Sequence, residues 1–305
     1  MALRQAGMVY TTTGTTEISL VVPSNRSYMV RDVQVVNSTG THLTLNTGRA
    51  TVGYFRVSGA LGNHLQYPPG FSNAINEGDM SLLGYMEKKA FHRGFPVPAG
   101  YTFSGTGVAT AGAYQTVIFD EYDAGDIRAD MPNGPDSNEN DYVIYGNTGA
   151  TITTATTSEY DTAVNPAEFP AFPFGSVVPA NTSITVHGVL ASTFAPSEND
   201  GTDDIGTQYL RFTKDRSVMF DPNRNGITFF QALGAQSADQ VGAGSSPIHN
   251  YSSTDKGSPH LFTPPLTFTG GSELLLHVVT LIDGSGANYL IADQEVGLMV
   301  SSSRG

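Results

Sequence analysis

Prolines in short turns punctuate this chain, and each is followed by a run of residues that favour extended backbone. Val22-Pro23-Ser24-Asn25 leads into Tyr28-Met29-Val30, and Val97-Pro98-Ala99-Gly100 into Tyr101-Thr102-Phe103. Val178-Pro179-Ala180-Asn181 leads into Ile184-Thr185-Val186, and Thr263-Pro264-Pro265-Leu266 into Leu274-Leu275-Leu276. Proline has no N–H to give a sheet ladder, so it stands just before strands and marks their starts. Two such turns in each half imply two similar β-modules in tandem.

Composition supports the same fold class. Charged residues make up 14% of the 305 residues, against about 25% in a typical soluble protein. Long helices need Lys, Glu and Arg to coat their outer faces, whereas Thr, Val, Tyr, Phe and Ile favour strands. The 34 Gly and 17 Pro supply many turns. The chain is therefore expected to be all-β.

There is no cysteine, which removes disulfides and thiolate metal sites. No stretch approaches the ~18 apolar residues of a membrane span. The start, Met1 to Gly7, lacks the apolar core of a secretory signal, so synthesis and retention in the cytosol are expected unless a leader was removed. Fifteen basic residues face 28 acidic ones, a formal charge of −13. Proteins that condense nucleic acid carry a basic arm or stripe. The densest basic cluster here, Lys88-Lys89-Ala90-Phe91-His92-Arg93, reads as the polar face of a short helix. Direct nucleic-acid binding is not expected.

Residues 1–15 are polar and Thr/Gly-rich. Ordering such a tail calls for a surface to lie against, either its own module or a neighbouring subunit. Strands are expected at Ile18–Val22, Tyr28–Val36, Leu43–Leu45, Val52–Val57, Gly100–Ser104 and Tyr114–Tyr122. One helix is expected over 79–93, with Asp79 as cap, Leu82, Leu83, Met86 and Ala90 on one face, and Gly94 as terminator. Residues 1–128 form the first module in this reading. Residues 129–172, with Met131-Pro132-Asn133-Gly134-Pro135 and a Thr-rich run at 151–157, form a linker or excursion. Residues 173–305 form the second module, with strands at Ile184–Leu190, Gln208–Thr213, Ile227–Phe230, Glu273–Ile282 and Tyr289–Val300. Leu274 to Ile282 is nearly all apolar, which implies burial on both faces. The Gly/Ser/Ala loop at 232–262 is costly to order within one module and suits contacts between subunits.

Catalytic motifs are missing. The chain has no Gly-x-Ser-x-Gly elbow, no His-Glu-x-x-His and no phosphate loop ending Gly-Lys-Ser/Thr. Gly105-Thr106-Gly107 with Gly112 lies between strands and offers no helix N-terminus to a phosphate. The histidines at 42, 64, 92, 187, 249, 260 and 277 show no metal-ligand spacing, and His187 and His277 fit strand interiors.

Asp221, Asn223 and Asn225 are the candidate metal ligands, because Asp221 to Gly226 matches the first half of a calcium loop. The twelfth position, which should be a bidentate Glu, is Ala232, and an Asx-rich turn explains the same residues. Asp136, Asn138, Asn140 and Asp141 form a weaker oxygen cluster, as do Glu198, Asp200, Asp203 and Asp204. Glu121 with Asp123, or Glu168, would be the carboxylates of a glycosidase, yet nothing distinguishes them from other acids. Sequons at Asn25, Asn37, Asn181 and Asn250 read as chance in so Ser/Thr-rich a chain. No enzymatic activity is expected, and no cofactor beyond a structural Ca²⁺.

The Val-Pro-Ala-Gly/Asn turns, the helix-bearing excursion at 79–93 and the 129–172 linker together give the chain a resemblance to the double jelly-roll capsid proteins of tailless icosahedral viruses. Their relatives with paired single jelly rolls are similar too. The resemblance implies two tandem jelly-roll modules and a homotrimeric capsomer. It further implies partners that are copies of the chain and other capsid proteins, a virion location after synthesis in the host cytoplasm, and no direct contact with the genome. Three other readings remain open: a virion spike or tail receptor-binding protein, a surface-layer protein, and a carbohydrate-active β-enzyme. A spike would carry stalk repeats or heptads, and neither is present.

Overall fold

The computed structural model describes residues 1–36, 38, 42–56, 71–72, 93–147, 156–159, 162–163, 177–193, 207–219, 227–230, 260–281 and 295–305. The chain is all-β. Among the described residues it divides into two units, one taking residues up to Val143 together with Met299–Gly305, the other Ile144–Leu298.

The first unit contains β1 (Leu3–Thr13), β2 (Ile18–Val21), β3 (Arg26–Val36), β4 (His42–Thr47), β5 (Ala50–Arg56), β6 (Phe71–Ser72), β7 (Phe95–Val97), β8 (Thr102–Thr106) and β9 (Tyr114–Asp123). Its antiparallel pairs are nested, β1 with β9, β2 with β8, β3 with β7 and β4 with β5. β9 also pairs with β3 and β8 with β4, which makes two sheets, β1-β9-β3 (with β7 and β6 on β3) and β2-β8-β4-β5. A long hairpin rolled up on itself gives this order. It is the jelly roll.

Alternation decides which face is buried. In β9, Gln115, Val117 and Phe119 are buried while Thr116, Ile118 and Asp120 are not. A one-residue slip would expose the whole apolar set, so the register is fixed. Between the sheets, Phe95 of β7 and Phe103 of β8 lie 6.0 Å apart and are fully buried. Leu43, Leu45, Ile18, Val30, Val33 and Val35 surround them in the core. At Gly105 of β8 a Cβ would stand 2.9 Å from the Cδ1 of Ile18, its cross-strand partner on β2, so a larger residue there would push the Ile18 side chain aside.

The second unit repeats the pattern with β10 (Glu139–Asn147), β11 (Thr156–Glu159), β12 (Thr162–Ala163), β13 (Thr182–Thr193), β14 (Thr207–Lys214), β15 (Ser217–Val218), β16 (Ile227–Phe230), β17 (His260–Thr269), β18 (Leu274–Leu281) and β19 (Glu295–Arg304). The chain leaves the first unit within β10 and returns to it within β19. One sheet runs β12-β10-β19-β13-β17, the other β11-β18-β14-β15 with β16 also on β14. β10 thus takes the role of β1, β11 of β2, β13 of β3, β14 of β4, β17 of β7, β18 of β8 and β19 of β9. Phe212 of β14 meets Phe262 of β17 edge to face at 5.4 Å. Lys214 Nζ donates to the Thr267 carbonyl at 2.9 Å and sits 5.4 Å from the Phe268 ring centre. These contacts join the two sheets of the unit.

Several expectations change. The N-terminal tail is a strand of its own unit, β1, ordered by eight register partners on β9 from Leu3↔Tyr122 to Thr13↔Tyr114. A neighbouring subunit is not needed to order it. Pro23 and Pro179 precede β3 and β13, and Pro98 precedes β8. Pro264 and Pro265 instead lie inside β17, where the register against β13 shifts between Val186 and Gly188. Among the described residues β17 pairs only with β13, and an edge strand with an irregularity is where a sheet accepts proline. The segment expected as a linker, 129–172, holds β10, β11 and β12. In β18, Leu274 and Leu276 are buried but Leu275 and His277 are only half-buried, so this part of the strand alternates rather than burying both faces. The expected helix, apart from Arg93, and the 232–259 part of the long loop lie outside the described residues.

Candidate functional site: a carboxylate ladder beside an open strand edge

β1 is joined to β9 in two different ways. From Met8 to Thr13 the register runs unbroken against Phe119 to Tyr114. From Leu3 to Met8 it slips twice, and side chains replace the lost ladder bonds. Asp126 Oδ2 accepts from the Ala2 N–H at 2.6 Å and Asp120 Oδ1 from the Gly7 N–H at 3.0 Å, while Arg4 Nε donates to Asp123. Gly7 has a φ of 64°, a backbone conformation that glycine adopts without strain.

Asp120 and its neighbour Glu121 are tied from the other side by β3. Arg31 Nε donates to Asp120 Oδ2 at 2.8 Å and Arg26 Nε to Glu121 Oε1 at 2.9 Å. Burial alone would lower the Arg31 pKa, but hydrogen bonds to Asp120 and Tyr122 outweigh it and hold the guanidinium above its ordinary value. The Tyr28 hydroxyl is pushed up, first by burial and then by the Glu121 charge. Glu121 and Asp123 are therefore each held by an arginine. The Arg4–Asp123 pair and the Gly7–Asp120 hydrogen bond strap β1 to β9.

The oxygen cluster at 136–141 is a structural hub. The Asp141 side chain, 3% exposed, receives Arg93 Nε at 3.2 Å, Asn133 Nδ2 at 3.2 Å and Ser301 Oγ at 2.8 Å. The Asp141 N–H donates back to Asn133 Oδ1 at 2.6 Å. Asn133 has a φ of 65°, a left-handed turn that asparagine tolerates. Asn140 Nδ2 donates to the Ser137 carbonyl, the Asn138 carbonyl accepts from the Arg304 N–H, and the Asp136 N–H donates to the Ala129 carbonyl. These oxygens do not converge on one point, and Arg93 already supplies the positive charge. Arg93 is thus an ion-pair partner just ahead of β7, and its own pKa stands raised because Asp141 and Glu139 outweigh its burial.

The other candidates separate. Asp221, Asn223, Asn225, Glu168 and the Glu198–Asp204 acids lie outside the described residues. Among those described, no group of three metal-ligating side chains forms. The Gly107 N–H is taken by Glu17 Oε1 at 3.3 Å, so the glycine-rich stretch is occupied by an acid of its own chain.

His277 was expected in a strand interior and stands in β18 between Glu159 of β11 and Arg211 of β14, one cross-strand row. Its pKa is lowered, chiefly by burial and further by Arg211, against the opposing pull of Glu159. Its Nδ1 and the Arg211 Nε make no hydrogen bond with the described residues.

No family model and no curated protein matches this chain. Among solved structures it is similar to the major capsid protein P2 from bacteriophage PM2, at 9% identity over 98% of each chain and a TM-score of 0.39. It is also similar to a peptide-N(4)-(N-acetyl-β-D-glucosaminyl) asparagine amidase, at 11% identity over 98% of this chain and 90% of the other, with a TM-score of 0.29. An IolB-like protein from Salmonella typhimurium LT2 follows, at 10% identity over 97% and 82% and a TM-score of 0.19. At such low TM-scores these likenesses assign no function.

Proposed function

We infer that the chain is a structural virion protein, a major capsid protein that assembles with copies of itself. The observation behind this reading is the repetition of one nested jelly-roll pairing twice in a single chain. A jelly roll by itself hosts many functions. Two similar blocks on one chain are a narrower feature. Three such chains around a three-fold axis present six similar blocks, which tile a surface almost as a hexamer does. The expected unit is therefore a homotrimer.

Surface chemistry supports the same reading. Low charge with abundant Thr, Ser and Asn suits broad, partly wet interfaces. Of the carboxylates considered for glycosidase chemistry, Glu121 and Asp123 are held by arginines, and the assembly role needs no turnover. The −13 formal charge favours a shell that does not touch nucleic acid directly.

The test is light scattering on the purified full chain combined with negative-stain electron microscopy at high concentration. Trimer mass together with shells or hexagonal plates is the expected result. Monodisperse monomers or slender fibres would overturn the reading. Hydrolysis of a glycan substrate, lost on Glu121→Gln, would replace it with an enzyme.

A further inference from the structure

We propose that the outer edge of β1, from Met8 to Thr13, is a β-augmentation site that pairs antiparallel with the same strand of a second copy of this chain. The proposal rests on the assembly reading above and names the surface through which one kind of contact is made.

The molecule treats its sheet edges unequally. β7 carries Pro96 and β17 carries Pro264 and Pro265, residues that cannot complete a ladder. The edge of β10 is partly covered by β12, through Gly146↔Ala163 and Asn147↔Thr162. In β1, two register shifts, Gly7 and Arg4 spoil the edge over Leu3–Gly7. Beyond them Met8-Val9-Tyr10-Thr11-Thr12-Thr13 has no proline, no glycine, no charge and no register shift. Among the described residues no strand pairs with its second edge, although the Thr13 carbonyl accepts from the Thr16 N–H at 3.4 Å. Uncharged, strongly β-forming edges of this kind template further strands.

Given self-assembly, charge bears on where a second copy can sit. The molecule carries a formal −13, so two copies repel over most of their surfaces. The six residues of the open edge place no charge opposite any other. Side-chain alternation fixes the geometry further. Met8, Tyr10 and Thr12 lie on one face with Val117 and Phe119, while Val9, Thr11 and Thr13 lie on the other with Ile118, Thr116 and Tyr114. A two-fold axis perpendicular to the sheet keeps each face continuous only if it passes through a residue. Centred on Tyr10 or Thr11, it sets Val9 opposite Thr11 or Thr13 and leaves Arg4 at the margin. Val9, 62% exposed, is then covered by its counterpart. A five-residue pairing is about 17 Å long. A contact of that size is weak singly and effective when repeated over a shell.

The chain has no cysteine, so single-cysteine variants report contacts cleanly. Cysteines placed one at a time from Met8 to Thr13, with Val21→Cys on β2 as control, are treated with a short bis-maleimide. Cross-linked dimers should peak at Tyr10→Cys or Thr11→Cys and be absent for Val21→Cys. Val9→Lys with Thr11→Lys should weaken self-association about tenfold by setting like charges across the two-fold. Both side chains are exposed, so the fold should be retained. Flat cross-linking along β1, or unchanged association of the lysine variant, would overturn the proposal. Shells that form normally with the lysine variant would sink this site and leave the capsid reading standing. Cross-linked dimers without shells would do the reverse.

Discussion

The two jelly rolls share one pairing scheme and differ at their rims. In the first, the leading strand β1 enters from the N-terminus, is pinned at its start by Asp120, Asp123 and Asp126, and has six residues of edge that no described strand covers. In the second, the corresponding β10 is flanked by β12 and begins at the buried hub of Asp141. Shared pairing follows from alternation, a property of whole strands. The rims follow from single residues, a proline here, an aspartate there. One fold repeated in one chain can thus carry two different contact surfaces.

Core substitutions should break that comparison most severely. Phe103→Ala removes a fully buried ring that faces Phe95, and a loss of about 3–5 kcal/mol is expected in urea unfolding. Phe212→Ala in the second unit should cost a similar amount, since its ring is equally buried. A large inequality would show that the two cores are not equivalent. Next comes Asp141→Leu. It removes the buried acceptor that Asn133, Ser301 and Arg93 share, and a loss of about 3 kcal/mol is expected by the same measurement. A gain in stability would mean that the hub serves something other than the fold.

Smaller effects sharpen the comparison. Lys214→Ala removes one charged hydrogen bond and one cation–π contact at an exposed site, for about 1 kcal/mol. His277 adds a pH dependence to the second unit. Its folded pKa lies below 6.5, so the unfolded chain takes up the proton first as pH falls. The histidine's contribution is intact above 6.5 and is lost progressively as pH drops toward the folded value. His277→Phe should flatten the stability profile in that window. An unchanged slope would remove His277 as its source.

Legibility in the sequence followed burial. β2, β3, β9, β13, β14, β16 and β18 showed themselves through apolar runs or alternation, since a strand with a face in the core must repeat every second residue. β1 buries a single residue, Thr12, and so looks like a polar tail. β17 carries two prolines and β10 opens with Glu-Asn-Asp, so both lack the usual signal. The site was less legible than the fold. Asp141 was singled out as an oxygen ligand, but its partners Arg93 and Ser301 lie 48 and 160 residues away in the chain. Only the rolled topology brings such residues together, and one sequence holds no local mark of it.

Single-particle cryo-electron microscopy of the oligomer formed by the full chain tests the central claim most directly. Three chains contributing six similar jelly rolls around a three-fold axis, with β1 edges facing neighbouring particles across two-folds, is the result the account predicts. A monomer, or a ring in which β1 edges face solvent throughout, would contradict it.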